Sequence, residues 1–335
     1  MDYATKQKRR EILIIIMIAI CIVLLVIGSV YLVKKISKNN QENRPSATPK
    51  PTATPVPTAV PTPTPTPYKY INEAGTTILS RFNPPDGFTR ISVPEGSFGE
   101  YLRNLPLKPY TICAYLYNGV INESAPWHAV IDQEIAKKDI QQCADTVMRF
   151  WAEYLFHNER YSEISFDFFT TPVFKCDFVS WAEGKRVKIS GNKCTWKDAP
   201  EGTEPDYSYE NLTKYLEYVY VYANTNSYKL QTKPISVEEL TVGDMIIATT
   251  LDLNRANPDL DASLGHAMII ADIAENAEGE RVYLIVEGNT PATQPYVISA
   301  NEDGYGGIWV KFDENGIYHS FRNVTFPADA YRRLG

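Results

Sequence analysis

The run Gly265-His266-Ala267-Met268-Ile269-Ile270-Ala271-Asp272 decides the fold of this chain. Its apolar residues follow one another without polar alternation, over a length that suits a buried strand. A histidine opens it. A second apolar run, Arg281 to Val286, follows Asn276-Ala277-Glu278-Gly279, residue types that favour a tight reversal. The two runs are predicted to form an antiparallel hairpin, so residues just beyond Val286 come back beside His266. A reversal centred between Ala277 and Glu278 sets Asn289 opposite His266; one centred a residue earlier sets Glu287 there. Side chains two apart on a strand share a face, so both point the same way.

The segment Asp139 to His157 is the natural partner for that hairpin. Ile140, Cys143, Ala144, Val147, Met148, Trp151, Tyr154 and Leu155 recur at three- and four-residue steps and define one face of a helix. Asp145, Arg149 and Glu153 follow four apart on another face and can form a charge ladder. Asp139 is the expected N-cap, which places Cys143 near the first turn, where the helix dipole and free amides lower a thiol pKa. Elsewhere, Ser97 to Leu105 and Tyr209 to Tyr222 read as helices. Strands are expected at Ile112–Tyr117, Ala129–Ile135, Ile164–Phe169, Phe174–Trp181, Arg186–Ile189, Met245–Thr249, Tyr296–Ser299 and Ile308–Phe312. Antiparallel strands packed against helices make an α+β domain.

A thiol at a helix start facing a strand-borne imidazole is the arrangement of a papain-like cysteine hydrolase. The imidazole deprotonates the thiol and later protonates a leaving group, and a third polar residue holds the ring. The candidate catalytic set is Cys143, His266 and Glu287, with Asp145, Arg149, Glu153 and Asn289 as supporting residues. Other readings stay open. Cys143 can be a core cysteine or half of a disulfide with Cys113, and Cys176 with Cys194 can bridge a hairpin. The acids Asp145, Glu153 and Glu287 could serve a glycan hydrolase, which needs two carboxyl groups across one bond. A non-catalytic wall- or protein-binding module needs no activated residue at all. None of these readings requires a metal or another cofactor, and the cysteines contain no C-x-x-C pair.

Gly243-Asp244-Met245-Ile246-Ile247 stands about twenty residues before Gly265-His266. This resembles NlpC-like cell-wall peptidases, papain-fold enzymes in which a Gly-Asp precedes one strand and a histidine opens the next. The resemblance implies that Cys143, in Gln142-Cys143-Ala144-Asp145, is the nucleophile and that His266 is the family's histidine. The chain departs from it in the glutamine before the cysteine, the long insertion between 143 and 266, and glutamate at 287. A closer resemblance rests on Arg81-Phe82 with Pro85-Asp86-Gly87-Phe88, Ser97-Phe98 with Tyr101-Leu102-Arg103, and Leu105-Pro106-Leu107-Lys108. It continues through Asp139 to Arg149 with Ala152-Glu153-Tyr154-Leu155, then Trp181-Ala182-Glu183-Gly184 and Gly265-His266-Ala267 with Asp272. In that order these resemble the domain-of-unknown-function family 4846, which implies a shared fold and brings no established reaction. The family's Ala-Gln-Ser-Tyr-Met-Pro-Ala-Gln ending reads Val286-Glu287-Gly288-Asn289-Thr290-Pro291-Ala292-Thr293 here.

Upstream the composition changes. Ile12 to Val33 carries no charged side chain across 22 residues, enough at roughly 1.5 Å each to span a hydrocarbon core of about 30 Å. Nine prolines then fall between Pro45 and Pro67, the composition of a stiff, extended spacer. The expected organisation is a cytoplasmic tail (1–11), a single-pass signal-anchor in the lipid bilayer (12–33), an extracytoplasmic Pro/Thr-rich stalk (34–69) and a globular domain (70–335). Such a stalk suits a Gram-positive type of wall. The expected function is therefore a membrane-anchored extracytoplasmic cysteine hydrolase of peptide or amide bonds, with peptidoglycan or another surface polymer as candidate partner. A net charge of -7 and a pI near 5.3 give no global reason to bind nucleic acid.

Overall fold

In a computed structural model, which describes residues 69–300, 307–320 and 322–334, the apolar run from His266 becomes the longest strand. In chain order the helices are α1 (Ile78–Arg81), α2 (Phe98–Arg103), α3 (Cys143–His157), α4 (Phe178–Ala182), α5 (Tyr209–Tyr222), α6 (Thr225–Gln231) and α7 (Thr250–Ala256). The strands are β1 (Thr89–Arg90), β2 (Trp127–Val130), β3 (Ser165–Phe168), β4 (Phe174–Asp177), β5 (Arg186–Ser190), β6 (Lys193–Lys197) and β7 (Thr232–Pro234). They continue with β8 (Met245–Ala248), β9 (His266–Glu275), β10 (Arg281–Glu287), β11 (Tyr296–Ile298), β12 (Tyr318–His319), β13 (Thr325–Phe326) and β14 (Tyr331–Leu334).

An eight-stranded sheet in the order β2-β11-β10-β9-β8-β14-β7 carries the core, with β1 added to the far half of β9. Every pairing in it is antiparallel. From Ala267 to Ala274 every residue of β9 is buried, which is why its sequence shows no alternation: both faces are covered. Helix α3 packs across β9 and β10 and buries Val147, Met148, Phe150 and Leu155 almost completely. Each of these four stabilises the helix-to-sheet contact by roughly 1.5–3 kcal/mol. A buried carboxylate pins the layers. Asp272, wholly enclosed on β9, takes Arg90 Nε at 2.5 Å and Arg103 Nε at 2.7 Å, tying β1 and α2 to the sheet.

Several expectations shift. The strand expected over Phe174–Trp181 stops at Asp177, whose side chain accepts the Ser180 N–H at 2.7 Å and caps α4. The expected Ile112–Tyr117 strand is reduced to isolated bridges, and Ile308–Phe312 to one bridge, Tyr283 to Val310. Helix α3 begins at Cys143 rather than near Asp139. Cys113, Cys143, Cys176 and Cys194 are all free thiols, so neither of the bridges left open by the sequence is present.

The membrane expectation needs correction. Among the described residues no helix is long and apolar enough to cross a membrane, and the segments 12–33 and 45–67 lie outside them. The transmembrane helix in the expected fold class, the lipid-bilayer partnership, the signal-anchor and the single-pass cell-membrane localisation are therefore not carried forward. What the structure shows is an α+β domain.

Candidate functional site

Helix α3 starts where it does because of Asp145. Its carboxyl accepts the Gln142 N–H at 3.0 Å, closing the first turn and leaving Cys143 as the first helical residue. The preceding turn is clamped to the chain beyond β10. Asp139 Oδ1 accepts the Ala292 N–H at 2.7 Å and a Gln142 Nε2 hydrogen at 3.2 Å, and Thr290 Oγ1 donates to Gln142 Oε1 at 3.2 Å. Gly288 makes the close approach possible. A Cβ there would lie 2.3 Å from Thr146 Oγ1 and 3.2 Å from the Gln142 carbonyl oxygen. The helix start and the end of β10 are thus held together by construction.

His266 enters from the other side, on the first residue of β9 and paired with Ala248 of β8. Its Nε2 lies 2.7 Å from Glu287 Oε2. The Cys143 thiol interacts electrostatically with the same ring. Amides of Ala144 and Ala267 also point to the sulfur, which sits 4.0 Å from the Gly265 carbonyl oxygen. Tyr296 OH donates to Glu287 Oε1 at 2.6 Å, and Asn289 Nδ2 donates to Tyr296 OH at 3.3 Å. Both glutamate oxygens therefore have partners.

The electrostatics follow from burial opposed by charge. Desolvation alone raises the Cys143 thiol and lowers the imidazole. The charge of His266, its hydrogen bond and the two amides outweigh burial at the sulfur and hold the thiol below its ordinary value. At His266, burial is outweighed by Glu287 and by the thiolate, and the ring is pushed up to about 10. Each group thus favours the charged form of the other. Access is narrow: Cys143 is only 5 % exposed, the His266 side chain 21 %.

Of the predicted residues, Cys143, His266, Glu287 and Asn289 are brought into this one cluster. Asp145 lies beneath it, enclosed, with Oδ1 lacking a partner, and burial pushes its pKa well up. Arg149 and Glu153 belong elsewhere. Glu153 accepts from Arg149, Gln133, Tyr101 and Tyr209 beside a separate cavity of about 460 Å³. Glu287 borders a different cavity of about 180 Å³, so these acids do not face each other across one cleft and the glycan-hydrolase arrangement is not formed. A hollow of about 1280 Å³ beside the β9–β10 turn contains none of the predicted site residues.

Sequence reasoning missed Tyr296, although Glu287 and Tyr296 are direct cross-strand partners. Both lie in or beside runs that read as strands, so pairing β10 with β11 would have exposed the contact. It also missed Gln142 and Thr290, whose roles depend on loop contacts without a local pattern.

No curated protein and no solved structure matches the chain, and the weaker likeness to NlpC-type peptidases has no support. The family model described as domain of unknown function (4846) matches residues 78–333. The chain belongs to that family.

Proposed function

We propose that Cys143 is a nucleophile that takes an acyl group as a thioester, with His266 as its acid–base partner and Glu287 orienting the ring. The observation that supports this reading is the grouping of Cys143, at the start of α3, with His266, whose Nε2 lies 2.7 Å from Glu287 Oε2. In the step, the thiolate sulfur attacks a carbonyl carbon, a C–S bond forms, and the bond to the leaving group breaks. The imidazolium proton passes to the leaving group. Neutral His266 then accepts a proton from the incoming acceptor as it attacks the thioester, and the free thiolate returns.

This reading replaces the one expected from sequence. The membrane-anchored extracytoplasmic hydrolase is not carried forward: among the described residues no helix is long and apolar enough to cross a membrane. The thioester reading commits to no cellular location and to no particular acceptor. Its test is labelling of the folded chain with limiting iodoacetamide at pH 7, followed by mass mapping. Carbamidomethylation concentrated on Cys143, and lost in His266→Ala, is the expected result. Labelling spread over Cys113 and Cys194 with Cys143 silent would overturn it.

A further inference from the structure

The geometry points to the cavity beside His266 as a binding site for a small ligand with an apolar body and a carboxylate. This inference extends the thioester reading from Cys143, which does not line the cavity, to the space beside His266 and Glu287. The cavity of about 180 Å³ is lined by His266 and Glu287. Its remaining wall is mostly apolar, from Leu253 of α7, Met268 of β9, Ile298 of β11, and Val324 with Phe326 at the C-terminal hairpin. A dry cavity of roughly 150 Å³ holds a benzene molecule. This one therefore suits a phenyl or branched aliphatic group, and a long polar chain would leave its donors unpaired.

One cation completes the wall. Arg322 donates an N–H to the Ser124 carbonyl oxygen at 2.9 Å and has no acidic partner among the described residues. Glu287, the acid on the same wall, is already bonded through both oxygens to His266 and Tyr296. The charge left to satisfy a ligand is thus positive, and a planar guanidinium matches a carboxylate.

The test is isothermal titration of the full chain with 3-phenylpropionate, with 3-phenylpropionamide and propionate as controls. The carboxylate is expected to bind one per chain, and the amide and propionate each about tenfold or more weakly. Arg322→Gln should weaken 3-phenylpropionate about tenfold and leave the amide unchanged. Val324→Phe should abolish binding by filling the cavity. If that variant fails to melt cooperatively, Leu260→Trp on the surface loop serves instead. Equal binding of acid and amide, or no effect of Arg322→Gln, overturns the carboxylate assignment; no saturable binding overturns the cavity assignment. Titrating Cys143→Ser separates the two readings. Binding there without Cys143 labelling in the parent chain would leave an apolar-anion site and remove the thioester chemistry. Labelling without binding would do the reverse.

Discussion

Cys143 and His266 each resist the effect of their own burial, and this sets how the site responds to pH. The His266 contribution to stability is full below about 6.5 and is lost as pH rises through about 10. The Cys143 contribution is full above about 9 and is lost as pH falls through its lowered folded value. Where the two ranges overlap, just below about 9, the two slopes cancel. Urea unfolding of the parent minus Cys143→Ser, measured up to pH 10.5, should be level just below pH 9 and fall above it; a difference that climbs steadily through pH 9 would contradict the ion pair. Labelling gives a kinetic counterpart. An ordinary thiol reacts about tenfold faster per pH unit below its pKa, whereas the Cys143 rate should level off at a lower pH, because its thiol is held below the ordinary value. Glu287→Gln keeps a hydrogen-bonding group beside His266 and removes the charge that raises it. The variant should fold, and the pH dependence of Cys143 labelling should return as imidazolium is lost at lower pH.

At the scale of elements, the site is made by three chain segments meeting at the start of α3, and small changes there test the meeting. Gly288→Ala forces a methyl into Thr146 and the Gln142 carbonyl. It should cost about 1–3 kcal/mol and slow Cys143 labelling, because the end of β10 carries Glu287 away from His266; labelling at the parent rate would show the approach is dispensable. Asp145→Ala removes the acceptor of the Gln142 N–H and should cost about 0.5–2 kcal/mol in chemical denaturation. Asp145→Asn keeps an acceptor and should come close to the parent. The helix and hairpin were legible in sequence because α3 and α5 have long 3.6-residue patterns and β9–β10 has a strong reversal. The identity of the His266 partner was not. The pairing begins with Arg281 opposite Glu275 and shifts by one residue between Leu284 and Ile285, at a bulge. Continued to the end, that register sets Asn289 opposite His266, yet Glu287 reaches the ring from the diagonal position, within reach of a long side chain. A bulge on a strand buried on both faces leaves no trace in hydrophobic pattern. The short helix α4 was hidden for a similar reason: Phe178, Val179 and Trp181 suit a strand, and only the Asp177 cap decides otherwise.

For the whole molecule, the last strand matters more than its four residues suggest. β14 inserts between β7 and β8, and β8 is the strand that seats His266 through the Ala248 pairing. Tyr331 is fully buried, and Arg333 gives Nε and Nη2 to the two oxygens of the enclosed Asp244, each at 2.7 Å. Sequence patterning missed this strand because two arginines interrupt it, one of them neutralising a buried acid. Removing residues 328–335 takes away the Tyr331 packing, leaves Asp244 without its cation and opens an edge of β8. The first two losses together come to roughly 3–6 kcal/mol, comparable with the net stability of a domain. The truncated chain is expected to lose its cooperative melt and all selective Cys143 labelling. Arg333→Ala alone, at a side chain 41 % exposed and so partly screened, should cost about 1–3 kcal/mol and keep both. A truncated chain that melts cooperatively within a few degrees of the parent would show that the sheet closes without β14 and that His266 is positioned from the β10 side alone.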